Sequence, residues 1–195
     1  NLKSKVFRFK IQVMMKKILI VFIFLIANYY VYSKDTISTQ HFVGEEYGGG
    51  IVFYVDNSGQ HGLIAHKRDI TLDKVAWGTN GLTNATSTTD GQENTRLIVN
   101  YVIQKNANPT KFAACGCDSL TSEGYSDWYL PAIDELLKMY NNQTVIGNFR
   151  IGDYCSSTEY NKYNACCIHF RPHKSIQFFY NKVDRDYYVR CIRKF

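Results

Sequence analysis

No Asp or Glu stands before residue 34 of this 195-residue chain. Six of its 23 basic residues (Lys3, Lys5, Arg8, Lys10, Lys16 and Lys17) lie in that stretch, and the other 17 are matched by 17 acidic ones. The net charge of +6 therefore belongs to the N-terminal segment, and a nucleic-acid-binding reading loses its main support. Internal repeats and a collagen-like Gly-x-y tract are missing, which excludes solenoid and triple-helical architectures. The five histidines (His41, His61, His66, His169, His173) show no zinc-ligand spacing. No Gly-x-Ser-x-Gly elbow and no phosphate-binding loop occurs, and Ser156-Ser157 beside Glu159 has no His at a defined spacing. After the N-terminal segment no apolar run is long enough to span a membrane.

Residues 14–33 read as a secretory signal. Met14-Met15 and Lys16-Lys17 precede an apolar run from Ile18 to Ala27, and Val31-Tyr-Ser33 offers a small-residue cleavage site. Residues 1–13 read as an upstream extension, 34–46 as a loose lead-in and 47–195 as the folded domain. The expected location is therefore exported: cell surface, periplasmic or secreted. With no Cys near the cleavage site, a lipid anchor gains no support. At 45% hydrophobic and 15% aromatic residues, the remainder can form one globular core.

The pattern predicts an α+β domain. Gly48-Gly-Gly50 leads into a strand from Ile51 to Asp56, and Asn57-Ser-Gly59 turns into a second strand, His61 to His66. Asp90 and Glu93 fit a capping box opening a helix to about Lys105. Pro109 starts a second helix, and Pro131 marks a third with Ile133, Leu136, Leu137 and Tyr140 on one face. Four strands follow: Tyr154 to Thr158, Ala165 to Phe170, Ser175 to Asn181 and Tyr187 to Arg193, the last able to return beside the first. Asp90, Glu93 and Asn94 are three oxygen donors that could begin a calcium site, but the helix cap accounts for them without a metal. No metal or other cofactor is expected.

Six cysteines in an exported chain permit disulfides without dictating them. Cys115 and Cys117 point to different sides of a helix, and adjacent Cys166 and Cys167 face opposite ways, so at most one of the latter pair is expected inward. Cys155 and Cys191 lie on strands that could be neighbours. Glu159 and Arg190, each flanked by apolar strand residues, read as a buried ion pair.

From Tyr160 to Phe195 there are eight basic residues against two acidic ones. Arg171, Lys174, Lys182 and Arg185, interleaved with Tyr180 and Tyr187, suit a sulfated or acidic glycan, with charge for the anion and rings for the sugar face. The same pattern also fits a solvated sheet edge whose lysines block aggregation.

The stretch Gly124 to Met139, GYSDWYLPAIDELLKM, organises the rest. With Cys155-Ser-Ser-Thr-Glu159, Tyr188 to Phe195, Gly49 to Tyr54, Gln60 to Ala65, Trp77-Gly78 and Gly91 to Thr95, it resembles the C-terminal domain of the bacterial collagen-like adhesin Lcl. The resemblance runs from about Val43 to Phe195. It implies a C-type lectin-like fold related to formylglycine-generating enzymes, with Trp77, Asp127, Trp128, Pro131, Glu135, Glu159, Arg190 and Arg193 as structural motif positions. It also implies a non-enzymatic surface module that binds sulfated glycans. The alternatives are an envelope interaction module without a small ligand, or a divergent oxidase whose paired cysteines would hold copper. Lectin calcium motifs are absent. Where the family usually has Ser after the Pro, this chain has Ala132, which removes a cap worth about 1 kcal/mol.

Overall fold

The computed structural model describes residues 2–34, 40–70, 75–171, 176–183 and 187–195. It divides into two units, Asn1–Thr39 and Gln40–Phe195. The first is a single helix, α1 (Leu2–Lys34), on which each apolar residue from 18 to 26 is more than half exposed. No helix among the described residues is long and apolar enough to cross a membrane.

The second unit is α+β with two antiparallel sheets. Strands β1 (Glu46–Tyr47), β2 (Gly50–Val55), β3 (Gly62–His66) and β7 (Ile192–Lys194) make one sheet in that order. Strands β4 (Gly152–Glu159), β5 (Asn164–Phe170) and β6 (Ile176–Asn181) make the other. Between them in sequence lie α2 (Gly91–Gln104), a 3₁₀ turn (Pro109–Lys111), α3 (Ala113–Asp118), α4 (Ile133–Asn141) and α5 (Gln143–Ile146). The predicted N-terminal hairpin and the first and third helix starts are present, whereas Pro109 opens only a 3₁₀ turn and, after an extended Phe112, the second helix begins at Ala113. Part of the predicted lead-in is ordered too: the Gln40–Glu45 stretch is tied down by His41 N–H to Gly59 O and Val52 N–H to Glu45 O, each 2.9 Å.

The last predicted strand divides in two. Tyr188 bridges to Tyr154 of β4, its N–H donating to Asp153 O at 3.0 Å, and the chain then crosses so that β7 pairs with β3. The return beside the N-terminal hairpin is thus made by three residues rather than seven.

Neighbouring residues feed different cores. Val52, Ile64, Trp128, Leu130, Cys167 and Cys191 belong to one buried cluster, with α2 and α3. Phe53, Ala65, Tyr129, Ile168 and Ile192 belong to a second, with α4 and α5. Strand side chains alternate in direction, so each sheet is covered on both faces. This corrects the expectation for Cys166 and Cys167: they do point oppositely, yet both are buried, one in each core.

The pairing considered for Cys155 and Cys191 does not form. Cys191 is bonded to Cys117, with 5.5 Å between Cα atoms and a sequence separation of 74. Strand β7 lies in the other sheet from Cys155, and its approach segment faces α3 instead.

The Glu159–Arg190 pair is also replaced, by two separate pairs. Tyr188 meets β4 at Tyr154, which leaves Arg190 away from Glu159 at the strand's far end. Arg190 donates to Asp69 at 2.9 Å and to the carbonyls of His66, Gly147 and Asn148. Glu159 takes the Lys182 ammonium, together with Thr83 N–H at 2.9 Å and Asn84 N–H at 3.0 Å. Lys182 is fully buried, donating also to Gly81 O, with its amine 4.6 Å from the centre of the Trp77 ring.

Removing one partner of a buried pair strands the other charge. Lys182→Ala is expected to cost about 3 to 5 kcal/mol of unfolding free energy, read by urea denaturation. A loss below about 1 kcal/mol would mean that the loop amides alone carry Glu159.

Candidate functional site

The central motif is built outward from its helix start. Ala132 has no side-chain acceptor, and the missing cap is supplied by tertiary partners. Ile133 N–H donates to Thr158 Oγ1 at 3.0 Å and Asp134 N–H to Thr88 O at 2.9 Å. Glu135 reaches back, its Oε2 accepting from Ala132 N–H at 2.8 Å and from Gly91 N–H at 3.1 Å. Its Oε1 accepts from the Tyr129 hydroxyl at 3.0 Å. A Cβ on Gly91 would lie 2.5 Å from both Ala132 N and Glu135 Oε2, so only glycine fits at the first residue of α2.

Glu135 is buried. Desolvation pushes its carboxyl above the ordinary range, against the pull of the Ala132, Tyr129 and Gly91 hydrogen bonds and the Lys194 charge. Desolvation, reinforced by the neighbouring Glu135, also raises the Tyr129 phenol.

Two clefts lie against this motif. One, of about 400 Å³, is lined by Tyr54, Asp56, His61, Lys138, Lys194 and Phe195, with Glu135 also in its lining. The Lys138 amine sits 4.2 Å over the Tyr54 ring, a cation–π distance. Phe195 is steadied by edge contacts with His41 at 4.8 Å and Tyr47 at 5.6 Å. The second cleft, of about 470 Å³, is lined by Asp90, Glu93, Asp118 and Asp127 with Arg96 and Trp128. Its acids are largely answered: Asp127 by Arg193 at 2.7 Å, Glu93 by Arg96 at 2.6 Å and Asp90 by Lys194 at 3.2 Å. The Arg193 hydrogen bonds hold the Asp127 carboxyl below its ordinary range. Lys194 thus faces the first cleft while its ion pair reaches a wall of the second.

The proposed capping box at α2 is half formed. Asp90 accepts from Glu93 N–H at 3.3 Å, but the Glu93 carboxylate turns to Arg96. Asn94 is buried, bonded to Ser87 through both its amide atoms. The three oxygen donors considered for calcium therefore diverge. Among the described residues no three His, Cys, Asp or Glu side chains converge as metal ligands.

Two of the six residues assigned to ligand binding are interior. Lys182 and Tyr187 are both fully buried, the Tyr187 hydroxyl donating to Asn181 O at 2.6 Å. Burial drew them in because Lys182 completes the Glu159 pair and Tyr187 fills the first core. Tyr180 is half-buried, stacked on Phe178 at 5.4 Å, and Arg171 is half-buried, its carbonyl accepting from Tyr140. Lys174 and Arg185 lie outside the described residues.

The motif positions serve packing. The Trp77 indole N–H donates to Ser156 O at 2.7 Å, Pro131 O accepts from Ser157 N–H at 2.7 Å, and Trp128 is buried edge-on to His66 at 5.2 Å. Tyr54, His61 and Lys138 were missed as site candidates. Their signal was weak: Tyr54 has outward strand parity, and Lys138 lies off the apolar stripe of α4.

The cysteines outside the bridge are buried. Desolvation pushes the Cys155 thiol up to about 12 and those of Cys115 and Cys166 to about 11, far from the thiolate a metal would bind.

No family model and no curated protein matches this chain. Among solved structures it is similar to a fimbrial protein from Bacteroides ovatus, with a TM-score of 0.51 and 15% identity. The match covers 73% of this chain and 43% of that protein, so the chain spans less than half its length. At that identity the likeness concerns the fold alone.

Glu135 sets a pH test. Its folded carboxyl holds a proton more tightly than in the unfolded chain, so its stabilising contribution is complete below the ordinary value of 4.5 and lost as pH rises through the raised one. Glu135→Gln removes that titration, its amide oxygen still accepting from Ala132 and Gly91 N–H while its NH2 donates to the Tyr129 oxygen. The melting temperature of the variant relative to the parent should therefore rise between pH 4 and pH 7. Parallel profiles would show that Glu135 titrates alike in both states.

Proposed function

We propose that this chain is an exported, non-enzymatic, adhesin-like binding module of a bacterial surface, and that its ligand is an acidic or sulfated glycan. The observation that carries the reading is the open cleft in which two ammonium groups, Lys138 and Lys194, stand beside Tyr54, His61 and Phe195. A carboxylate or sulfate suits the amines and a sugar face suits the rings. The fimbrial name of the structural neighbour and the resemblance to the Lcl C-terminal domain, with its lectin-like fold, both support a surface role. Burial of the thiols outside the bridge disfavours the oxidase reading.

A second reading has its own support. Tyr160 and Phe179 stack at 3.9 Å while remaining 55% and 50% exposed, beside the edge strand β6. An exposed aromatic pair at a sheet edge also suits an interaction module of an envelope assembly with no small ligand.

Binding of the chain to sulfated, uronic and neutral glycans at two salt concentrations separates these readings. Salt-sensitive binding to the anionic members is expected, weakened about tenfold in Lys138→Ala/Lys194→Ala, since exposed charge contacts are screened and worth about 1 kcal/mol. Binding lost instead in Lys174→Ala/Arg185→Ala would return the ligand to the C-terminal strands. No binding to any glycan would leave the envelope module as the function.

A further inference from the structure

We infer that Cys155 and Cys167 are the site of a second disulfide, which closes the β4–β5 hairpin when the chain folds in an oxidising compartment. This rests on the export reading above. The two residues are direct cross-strand partners. Both belong to the first core, with exposures of 1% and 0%. Cys166, by contrast, faces the second core, and Cys115 is two residues from the bridged Cys117 on α3.

The backbone fixes what kind of partners they are. Asp153 O accepts from Tyr188 N–H, so Asp153, and Cys155 two residues on, turn their main-chain groups away from β5. Lys182 N–H donates to Tyr163 O, so Tyr163, and with it Ala165 and Cys167, turn theirs toward β6. Cys155 and Cys167 are therefore a non-hydrogen-bonded antiparallel pair, the closer of the two kinds, with Cα atoms about 4.5 Å apart. That spacing lies within the range of about 4.4 to 6.8 Å that a disulfide accepts. The equivalent pair two residues earlier, Asp153 and His169, already brings its side chains to 2.6 Å.

The chemistry is thiol–disulfide exchange with a disulfide-bearing oxidant, an oxidoreductase of the export compartment or oxidised glutathione. One cysteine thiolate attacks a sulfur of that oxidant, forming a mixed disulfide and releasing the oxidant's first thiol. The second cysteine then attacks the mixed disulfide, making the Cys155–Cys167 bond and releasing the oxidant's second thiol. Two electrons pass to the oxidant, and the two protons of the cysteines end on its thiols. Because the folded hairpin is closed to solvent, the exchange belongs to folding, before the first core closes. The bond would lie at one end of the register shift between Cys155 and Glu159, next to the segment that carries Glu159 to Lys182.

The test is to refold the reduced full chain in a reduced/oxidised glutathione buffer, quench with acid, denature, and alkylate without reductant. Intact mass is expected to show two of the six cysteines alkylated, and non-reduced peptide mapping to recover Cys155 joined to Cys167. Cys155→Ser should raise the alkylated count to three. Four alkylated cysteines with Cys117–Cys191 intact, or any other pairing, would overturn the inference. The same count on chain recovered from whole cells of its source, alkylated at lysis, reads the export proposal separately: six alkylated cysteines there, with both bridges formed on refolding, would sink export and not the hairpin bond.

Discussion

A single buried carboxyl holds three parts of the chain in register. Glu135 accepts from Gly91 at the start of α2, from Ala132 at the start of α4 and from the Tyr129 hydroxyl between them. The approach is close enough to exclude any Cβ at residue 91. With that point fixed, Trp128 and Leu130 enter one core while Tyr129 enters the other. Tyr129 then exchanges main-chain hydrogen bonds of 2.8 and 3.0 Å with Ile192, which sets β7 beside β3. Both clefts lie against this junction, Glu135 lining the first and Tyr129 the second. The arrangement has a cost, since a carboxyl removed from water must be satisfied by directed donors or held neutral.

The charge distribution has a structural explanation. The acidic balance of the first part of the domain and the basic excess after Tyr160 largely answer each other across the fold. Lys182 meets Glu159, Arg190 meets Asp69, Arg193 meets Asp127 and Lys194 meets Asp90. The first two pairs are interior and specify how the second sheet and the chain leading to β7 dock. The last two are more exposed and contribute less to stability. A basic segment that reads as a ligand surface in sequence is thus, in good part, half of an intramolecular contact set.

Legibility followed the range of the interaction. The hairpin at Asn57-Ser-Gly59 and the Asp90 cap rest on contacts within a few residues, and the sequence carries those directly; of the predicted α4 face, Ile133, Leu136 and Tyr140 are buried, while Leu137 is exposed and Met139 takes an inward place. Partners 74 and 121 residues apart left no local trace, so the bridge of Cys191 to Cys117 and the pairing of Arg190 with Asp69 were not read from the sequence. Alternation showed that Cys166 and Cys167 point oppositely but not that both faces of their sheet are covered, because coverage depends on where α2 to α5 come to rest. The same limit hid the first cleft, which is assembled from β2, β3, α4 and the C-terminal residues.

These pairings bear on the choice of ligand surface. A cation already neutralised in the interior cannot recruit an anionic polymer, which removes Lys182 and Arg190 from consideration. Lys138 differs in kind: its described partner is the face of Tyr54, which leaves its hydrogen-bonding capacity available to an incoming anion. Lys194 shares its charge with a half-exposed Asp90, an ion pair weak enough for a carboxylate or sulfate to compete with. Of these cations, Lys138 and Lys194 are therefore the two that the fold leaves at an open cleft, between α4 and the chain's last residues, where Tyr54, His61 and Phe195 line the wall together with the carboxylate of Asp56.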